Sequence, residues 1–316
     1  MVESLVDSVA ASADVHGGDV VAQKDRIAFF RGQFVPAGEA KVSVFDHSFL
    51  YGDGVFESIA YRHGRIFELE AHVHRLFDSC KVLRIEIPMT AGELSAAAIE
   101  TVQRNNARCG DLRIVVSRGD GYPMYDPRRA RDTLVVISLQ ERPIVSYPRE
   151  RGIKLVVPST RRIPPVCLDP RVKSNNYLNH VTAKLQAIAA GADEALMLDI
   201  DNNVAELPGA NIFAFKKGEL ATPPATHILA GITRRLVLGL ARSGVSAKID
   251  QVNERTMSLF DIYTAEEVLV TGTALGIGFI TEVDGRRIGD GTCGPVTRAI
   301  GKAYERLLDN QANSNP

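Results

Sequence analysis

The chain has 316 residues, 45% of them hydrophobic, with 37 basic against 38 acidic side chains and a formal net charge of −1. So even a balance supplies no long-range field for nucleic acid or an anionic membrane, and small molecules are the expected partners. The length supports a substantial core shared between two domains, and no run approaches the roughly 20 apolar residues that a membrane-spanning helix requires.

Residues 1–24 mix Ser, Ala, Asp and Val and offer little to pack, which predicts a mobile tail; a signal peptide's basic and apolar regions are both missing. Short strands follow at 27–30, 41–45 and 54–61, with a turn at Gly32 and another at His63-Gly64 before 65–67. Residues 70–83 space Val73, Leu76, Phe77 and Cys80 along one helical face. Thr90 and Glu93 form a capping-box pattern that opens a second helix through Val102. Strand candidates at 111–117 and 133–139 flank a Gly/Pro/Tyr/Arg loop, 119–131, long enough to close as a lid. Residues 143–152 carry little apolar surface and read as a connector, so a small domain is expected over 25–145, a linker over 146–152 and a larger domain over 153–316. In the second half, strands at 153–157, 194–199, 204–215 and 267–272 alternate with helices after residue 173, at 233–242 and at 295–308. Cys80, Cys109, Cys167 and Cys293 are scattered, without metal-like or C-x-x-C spacing, so no metal site is expected and a reducing cytoplasm fits best.

Lys173 stands where the extended stretch Asp169-Pro170-Arg171-Val172 runs into a helical pattern marked by Val181, Leu185 and Ile188, and a lysine at that junction points inward. Taken alone, such a lysine is ordinarily a solvated side chain. Thirty-three residues later Glu206 precedes a Leu-Pro-Gly-Ala turn between two apolar runs. Gly231-Ile232-Thr233 then sits where a helix begins, a place whose unpaired N–H groups and dipole favour an anion. A second turn, Thr271-Gly272-Thr273-Ala274, follows. Lysine, carboxylate and two Gly/Thr turns in this order and spacing resemble the fold-type IV pyridoxal-phosphate enzymes: branched-chain and D-amino-acid aminotransferases, (R)-selective amine transaminases and aminodeoxychorismate lyases. The resemblance runs from Phe30 to Leu308.

It implies a two-domain α/β (α+β) enzyme with a small N-terminal domain, a larger β-rich C-terminal domain, bound pyridoxal 5'-phosphate and at least a homodimer. By the same resemblance, the Lys173 amine attaches to the cofactor aldehyde and later moves the substrate proton. Glu206 pairs with the pyridine nitrogen, and Tyr177 with the ring hydroxyl. Leu229, Gly231, Ile232, Thr233 and Thr273 line the cofactor and its phosphate, and Arg75, in the run His74-Arg75-Leu76, matches the family's phosphate arginine. Without the resemblance, Glu206 is a solvated turn residue and Arg75 a surface arginine. Tyr51, Phe56, Arg113, Thr273 and Ala274 match substrate-pocket positions, with Glu57 following Phe56; Tyr51, Phe56 and Glu57 are equally accounted for as strand core.

One departure concerns the substrate. The branched-chain pattern Tyr-Ile-Arg reads Asp111-Leu112-Arg113, so the phenol that helps hold a substrate carboxylate is replaced by a charge that disfavours one. Tyr122, Tyr125, Arg118, Arg128 and Arg129 are the candidates to compensate. The expected reaction moves an amino group between a hydrophobic amino acid or amine and a 2-oxo acid such as 2-oxoglutarate or pyruvate. A lyase and a D-amino-acid aminotransferase are the alternatives within the family. A phosphate-binding module without chemistry is the alternative outside it, and an inward lysine opposite a carboxylate argues against that.

Overall fold

The computed structural model describes residues 25–121, 124–141 and 151–313; the expected tail, Tyr122 and most of the expected connector lie outside the described residues. The first half forms one antiparallel sheet from β1 (Ile27–Phe30), β2 (Gln33–Pro36), β3 (Gly54–Arg62), β4 (Arg65–Ile66), β5 (Cys109–Ser117) and β6 (Leu134–Glu141), in the order β2-β1-β6-β5-β3-β4. A short helix α1 (His47–Tyr51) precedes β3, and α2 (Leu69–Leu83) and α3 (Ala91–Arg104) cover one face. The period-2 pattern explains that face: Leu112, Ile114 and Val116 of β5 are fully buried against Val73, Leu76, Leu94 and Ala98 of the helices. The capping box expected at Thr90 is present, with Thr90 Oγ1 accepting from Glu93 N and Glu93 accepting from Thr90 N. Residues 41–45 form no strand. Phe45 O accepts from Gly121 N next to an isolated Asp46–Asp120 bridge, and Val42, Val44 and Phe45 are exposed.

The second half forms a mixed sheet ordered β11-β10-β9-β12-β13-β7-β8, with β14 (Arg286–Arg287) on β13. Its strands are β7 (Ile153–Val156), β8 (Glu194–Ala195), β9 (Asn211–Lys216), β10 (Glu219–Thr222), β11 (Gln251–Glu254), β12 (Glu267–Gly272) and β13 (Gly276–Val283). The long run expected over 204–215 is a strand only from Asn211; upstream, isolated bridges Leu198–Val204 and Leu207–Ala210 shape the turn that carries Glu206. Four helices complete this half: α4 (Leu178–Ala189), α5 (Ile232–Arg242), α6 (Leu259–Tyr263) and α7 (Pro295–Asn313). Side chains of α5 and α7 pack on Phe213, Phe215 and Leu269, and Ile212, Ala214, Val268 and Val270 of the opposite face are buried with Met257 and Ile262, so the central strands are covered on both faces and read as continuous apolar runs. No helix among the described residues is long and apolar enough to cross a membrane.

On α4 the apolar positions that mark the helical pattern are not the buried ones. Val181, Leu185 and Ile188 face outward, at 49%, 60% and 52% exposure, and the buried face is His180, Ala183 and Ala187. The two alanines let the helix approach Ala195 and Met197 closely, which larger side chains would prevent.

The two halves meet through backbone. Because β4 covers only the end of β3, the half of β3 near Gly54 has an open edge, and residues 173–175 occupy it. Phe56 N donates to Lys173 O at 2.9 Å and Asn175 N to Gly54 O at 2.8 Å, around a Val55–Ser174 bridge. Gly54 permits this approach: a Cβ there would lie 2.6 Å from the carbonyl oxygen of Val116 and 2.7 Å from Asn175 Nδ2. Gly54→Ala is expected to lower unfolding free energy by about 1–3 kcal/mol through this overpacking; urea denaturation at the wild-type midpoint would reveal it, and an unchanged midpoint would show that the seam yields freely.

Candidate active site

The extended stretch before α4 places Lys173 by simple alternation. Val172 plugs the core of the first sheet, Ser174 is buried on the same seam, and Lys173 between them turns to a cavity of about 310 Å³ between the halves. Asp169 starts this stretch by accepting from Arg171 N at 2.9 Å and from its guanidinium. Lys173 N reaches Ser79 Oγ of α2 at 3.4 Å, and its Nζ lies 4.5 Å from the Phe56 ring centroid and 5.9 Å from that of Tyr177. Burial pulls the amine's pKa down to about 8; the carboxylates of Glu57 and Glu206 hold it up, and Arg75 and Arg113 push it down further.

Glu206 lines the same cavity and is 4% exposed. Arg162 Nε donates to Oε1 at 2.8 Å, Asn211 Nδ2 to Oε2 at 3.1 Å, and Leu229 N to both oxygens at 3.1–3.2 Å. Burial raises its pKa, opposed by Arg162, the Leu229 N–H and Lys173. The main chain pins it as well, since Met197 N donates to Glu206 O.

The other end of the cavity is the start of α5. Gly231 is its N-cap residue, and the backbone N–H groups of Ile232 and Thr233 in the first turn have no intrahelical acceptor. A Cβ on Gly231 would lie 2.0 Å from Asn211 Oδ1, so glycine is needed for that close approach. Thr271 and Gly272 at the end of β12, and Thr273 and Ala274 in the turn after it, line the cavity as well, and the buried Thr271 Oγ1 has no partner among the described residues. Arg75 arrives from α2, with Nη1 donating to Ala230 O at 2.9 Å.

Most residues named from the sequence therefore line one cavity: Phe56, Arg75, Arg113, Lys173, Tyr177, Glu206, Leu229, Gly231, Ile232, Thr233, Thr273 and Ala274. Tyr51 does not; it sits at the end of α1, 39% exposed, edge-on to His47. Arg118 is no longer available to a substrate, because its guanidinium forks onto Asp53 and donates to the carbonyls of Leu83 and Arg84. Arg128 bonds to Asp126 within the exposed loop, and Tyr125 and Arg129 are exposed beside it. Asp111, two residues before Arg113 on the same face of β5, is not among the lining residues, so its charge stands farther from the cavity than Arg113 does.

Sequence reasoning missed Arg162, Asn211 and His180. His180 stacks on Tyr177 at 4.2 Å, and burial, with Arg162 and Lys173, drops its pKa to about 3, so it stays neutral. Burial also lifts the Tyr177 phenol to about 12. Arg162 lies in an irregular segment with no periodic signal, and Asn211 directly follows the Leu-Pro-Gly-Ala turn with no local pattern to mark it. A helix start with unpaired N–H groups, a buried carboxylate and a lysine amine thus line one cavity, a combination from which an enzyme site can be built.

Comparison with known proteins agrees. Residues 54–283 match the family model of amino-transferase class IV. A chain of Methanocaldococcus jannaschii, provisionally named a branched-chain-amino-acid aminotransferase, is 44% identical over 282 residues, covering 88% of this chain and 95% of that one. The branched-chain-amino-acid aminotransferase of Pseudomonas aeruginosa is 35% identical over 305 residues, 93% of this chain and 97% of that protein. Among solved structures, a T.th. branched-chain amino acid aminotransferase complexed with N-(5'-phosphopyridoxyl)-L-glutamate superposes with a TM-score of 0.84 at 34% identity, covering 91% of this chain and 95% of that one. The chain belongs to the class IV aminotransferases.

The lowered pKa of Lys173 gives a direct test. Only the neutral amine attacks an aldehyde, so trapping of an aromatic aldehyde at Lys173 with borohydride is expected to rise about tenfold per pH unit up to about 8 and level off above it. A plateau reached only near the usual lysine value of about 10.4 would mean that burial does not tune this amine.

Proposed function

We propose that the chain is a pyridoxal-phosphate-dependent transaminase that moves an amino group between a hydrophobic, branched-chain-like amino acid and a 2-oxo acid such as 2-oxoglutarate. The observation that carries this reading is Lys173, a neutralisable amine facing buried Glu206 across one cavity whose far end is a helix N-terminus. The cavity's volume is at the lower end of pockets that hold small molecules, and its donors suit a phosphate, a ring nitrogen and a phenolic oxygen in turn. Bound there, pyridoxal phosphate supplies an aldehyde for the substrate amine and an electron sink for the carbanion.

The chain's own groups do the rest. Glu206, whose pKa burial raises against the opposing Arg162 guanidinium and Leu229 N–H, is placed by these hydrogen bonds to hold a proton on a ring nitrogen. Tyr177 presents a phenol that remains protonated at neutral pH. The orphan N–H groups of Ile232 and Thr233, with Thr273 and Arg75, bind the phosphate. The Lys173 amine, whose pKa burial lowers to about 8, would act as the base toward a substrate carbon held in the cavity. Arg113 stacks over Phe56 at 4.0 Å and makes no hydrogen bond or ion pair among the described residues, which supports a substrate that brings its own carboxylate. The Phe56 ring beside it supports a hydrophobic side chain.

Exposed Phe45, Phe49, Leu50 and Tyr51, together with Met124 and Tyr125, support a homodimer through this face, and no disulfide joins the four cysteines, which suits the cytoplasm. Phe49→Glu is expected to shift the protein to monomer in sedimentation; an unchanged mass would move the interface elsewhere.

A panel of L-leucine, L-valine, D-alanine and (R)-1-phenylethylamine as donors tests the activity, with the two L-amino acids expected to react fastest; preference for either of the others would overturn the substrate assignment. Lys173→Ala should abolish turnover without unfolding the protein. Glu206→Gln should bind cofactor yet lose on the order of 10²-fold or more in kcat, because a neutral amide cannot hold the ring proton; unchanged kcat would return Glu206 to an ordinary turn residue.

A further inference from the structure

Glu57 and His72 are buried polar groups with no place in the chemistry above. Phe56 and Ser58 face the cavity, so Glu57 between them points the other way, into the apolar core beneath the sheet with Val55 and Ile59. There it is fully buried, yet ionised: burial would raise its pKa, but the Arg75 guanidinium and the His72 and Arg75 hydrogen bonds outweigh it and hold it at about 2. Arg75 Nε and Nη2 each meet one Glu57 oxygen at 2.7 Å, a two-pronged fork, and His72 Nδ1 lies 2.7 Å from Oε2. Since that oxygen only accepts, His72 carries its proton on Nδ1.

Stability alone does not explain a buried ion pair, because apolar side chains of the same volume usually serve a core as well or better. What the fork does is fix a direction. With Nε and one Nη2 hydrogen on Glu57 and one Nη1 hydrogen on Ala230 O, the residue immediately before the N-cap of α5, Arg75 keeps one N–H on each terminal nitrogen, and both are held at the helix start. We propose that Glu57, steadied by His72, is a positioning residue that aims Arg75 at the phosphate of the bound cofactor. This rests on the reading that the phosphate occupies the start of α5.

The role predicts selectivity between two ligands that differ only in that phosphate. Binding of pyridoxal 5'-phosphate and of pyridoxal to the full-length apo protein is measured by the absorbance of the Lys173-attached ring, in buffer free of inorganic phosphate. Glu57→Gln is isosteric but presents an amide N–H₂ to donors, and it should weaken pyridoxal phosphate roughly tenfold to a hundredfold while leaving pyridoxal within about twofold. Arg75→Lys keeps the charge and the buried carboxylate but cannot fork, and it should reproduce the selective loss, which keeps the test decisive if the Glu57 variant does not fold. In an Arg75→Ala background, Glu57→Gln should add no further phosphate-specific loss. Equal weakening of both ligands, or an unchanged ratio in Arg75→Lys, would overturn the proposal while leaving the functional reading intact. Failure of the wild-type protein to bind pyridoxal phosphate would overturn both.

Discussion

The pairing of residues 173–175 with the open half of β3 is the constraint on which the site depends. Two main-chain hydrogen bonds tie the segment from the second half of the chain to a strand of the first, and they set the height and facing of Lys173. Each such bond contributes only about 1 kcal/mol, so the seam relies on its neighbours: Val172 seated in the first core and Asn175 Nδ2 on Ser48 Oγ at 2.7 Å. The cavity exists only when the halves are docked, because its walls come from β3, β5 and α2 on one side and from the Glu206 turn, α5 and the turn after β12 on the other. Arg75, anchored in α2 and bonded to Ala230 O, crosses the same gap a second time.

Electrostatics divides the cavity into ends. Arg75, Arg113, Arg162 and Lys173 line it against Glu206 and Asp169, the latter held by Arg171, with Glu57 just beneath. Two of the three arginines are already committed to carboxylates, so the local excess of positive charge is concentrated on Lys173 and Arg113. Burial acts on both in the same sense, lowering the pKa of each, but only the lysine comes near neutrality, since a guanidinium starts so much higher. One low-dielectric cavity thus yields a reactive amine and a permanent cation side by side, the first suited to covalent chemistry and the second to orienting an anion.

The outer surface follows a different logic. Exposed apolar side chains cluster around α1 with the 124–125 segment and along α4, while others, such as Val82, Val166 and Phe260, are scattered elsewhere. On α4 the outward stripe was the stronger periodic signal, yet the helix buries its alanines, because contact with Ala195 and Met197 rewards close backbone approach over side-chain bulk.

The features legible in the sequence are those set within a few residues: the Thr90–Glu93 capping box, the start of α5 at Gly231-Ile232, the turn after Glu206 and the extended stretch that ends at Lys173. Each rests on local backbone chemistry, so order and spacing were enough to single out Lys173, Glu206 and the start of α5 as candidates, which the fold brings to one cavity. What only the tertiary structure decided is who meets whom across the chain. Arg162 reaches Glu206 from 44 residues away and Arg75 reaches Glu57 from 18, while Arg118, an equally plausible substrate arginine by type, is consumed by Asp53. The 41–45 run likewise has strand character but joins neither sheet, its Phe45 carbonyl accepting from Gly121 N instead. Partners of this kind depend on how two sheets pack, and packing is a property of the whole core that no local pattern of residues carries.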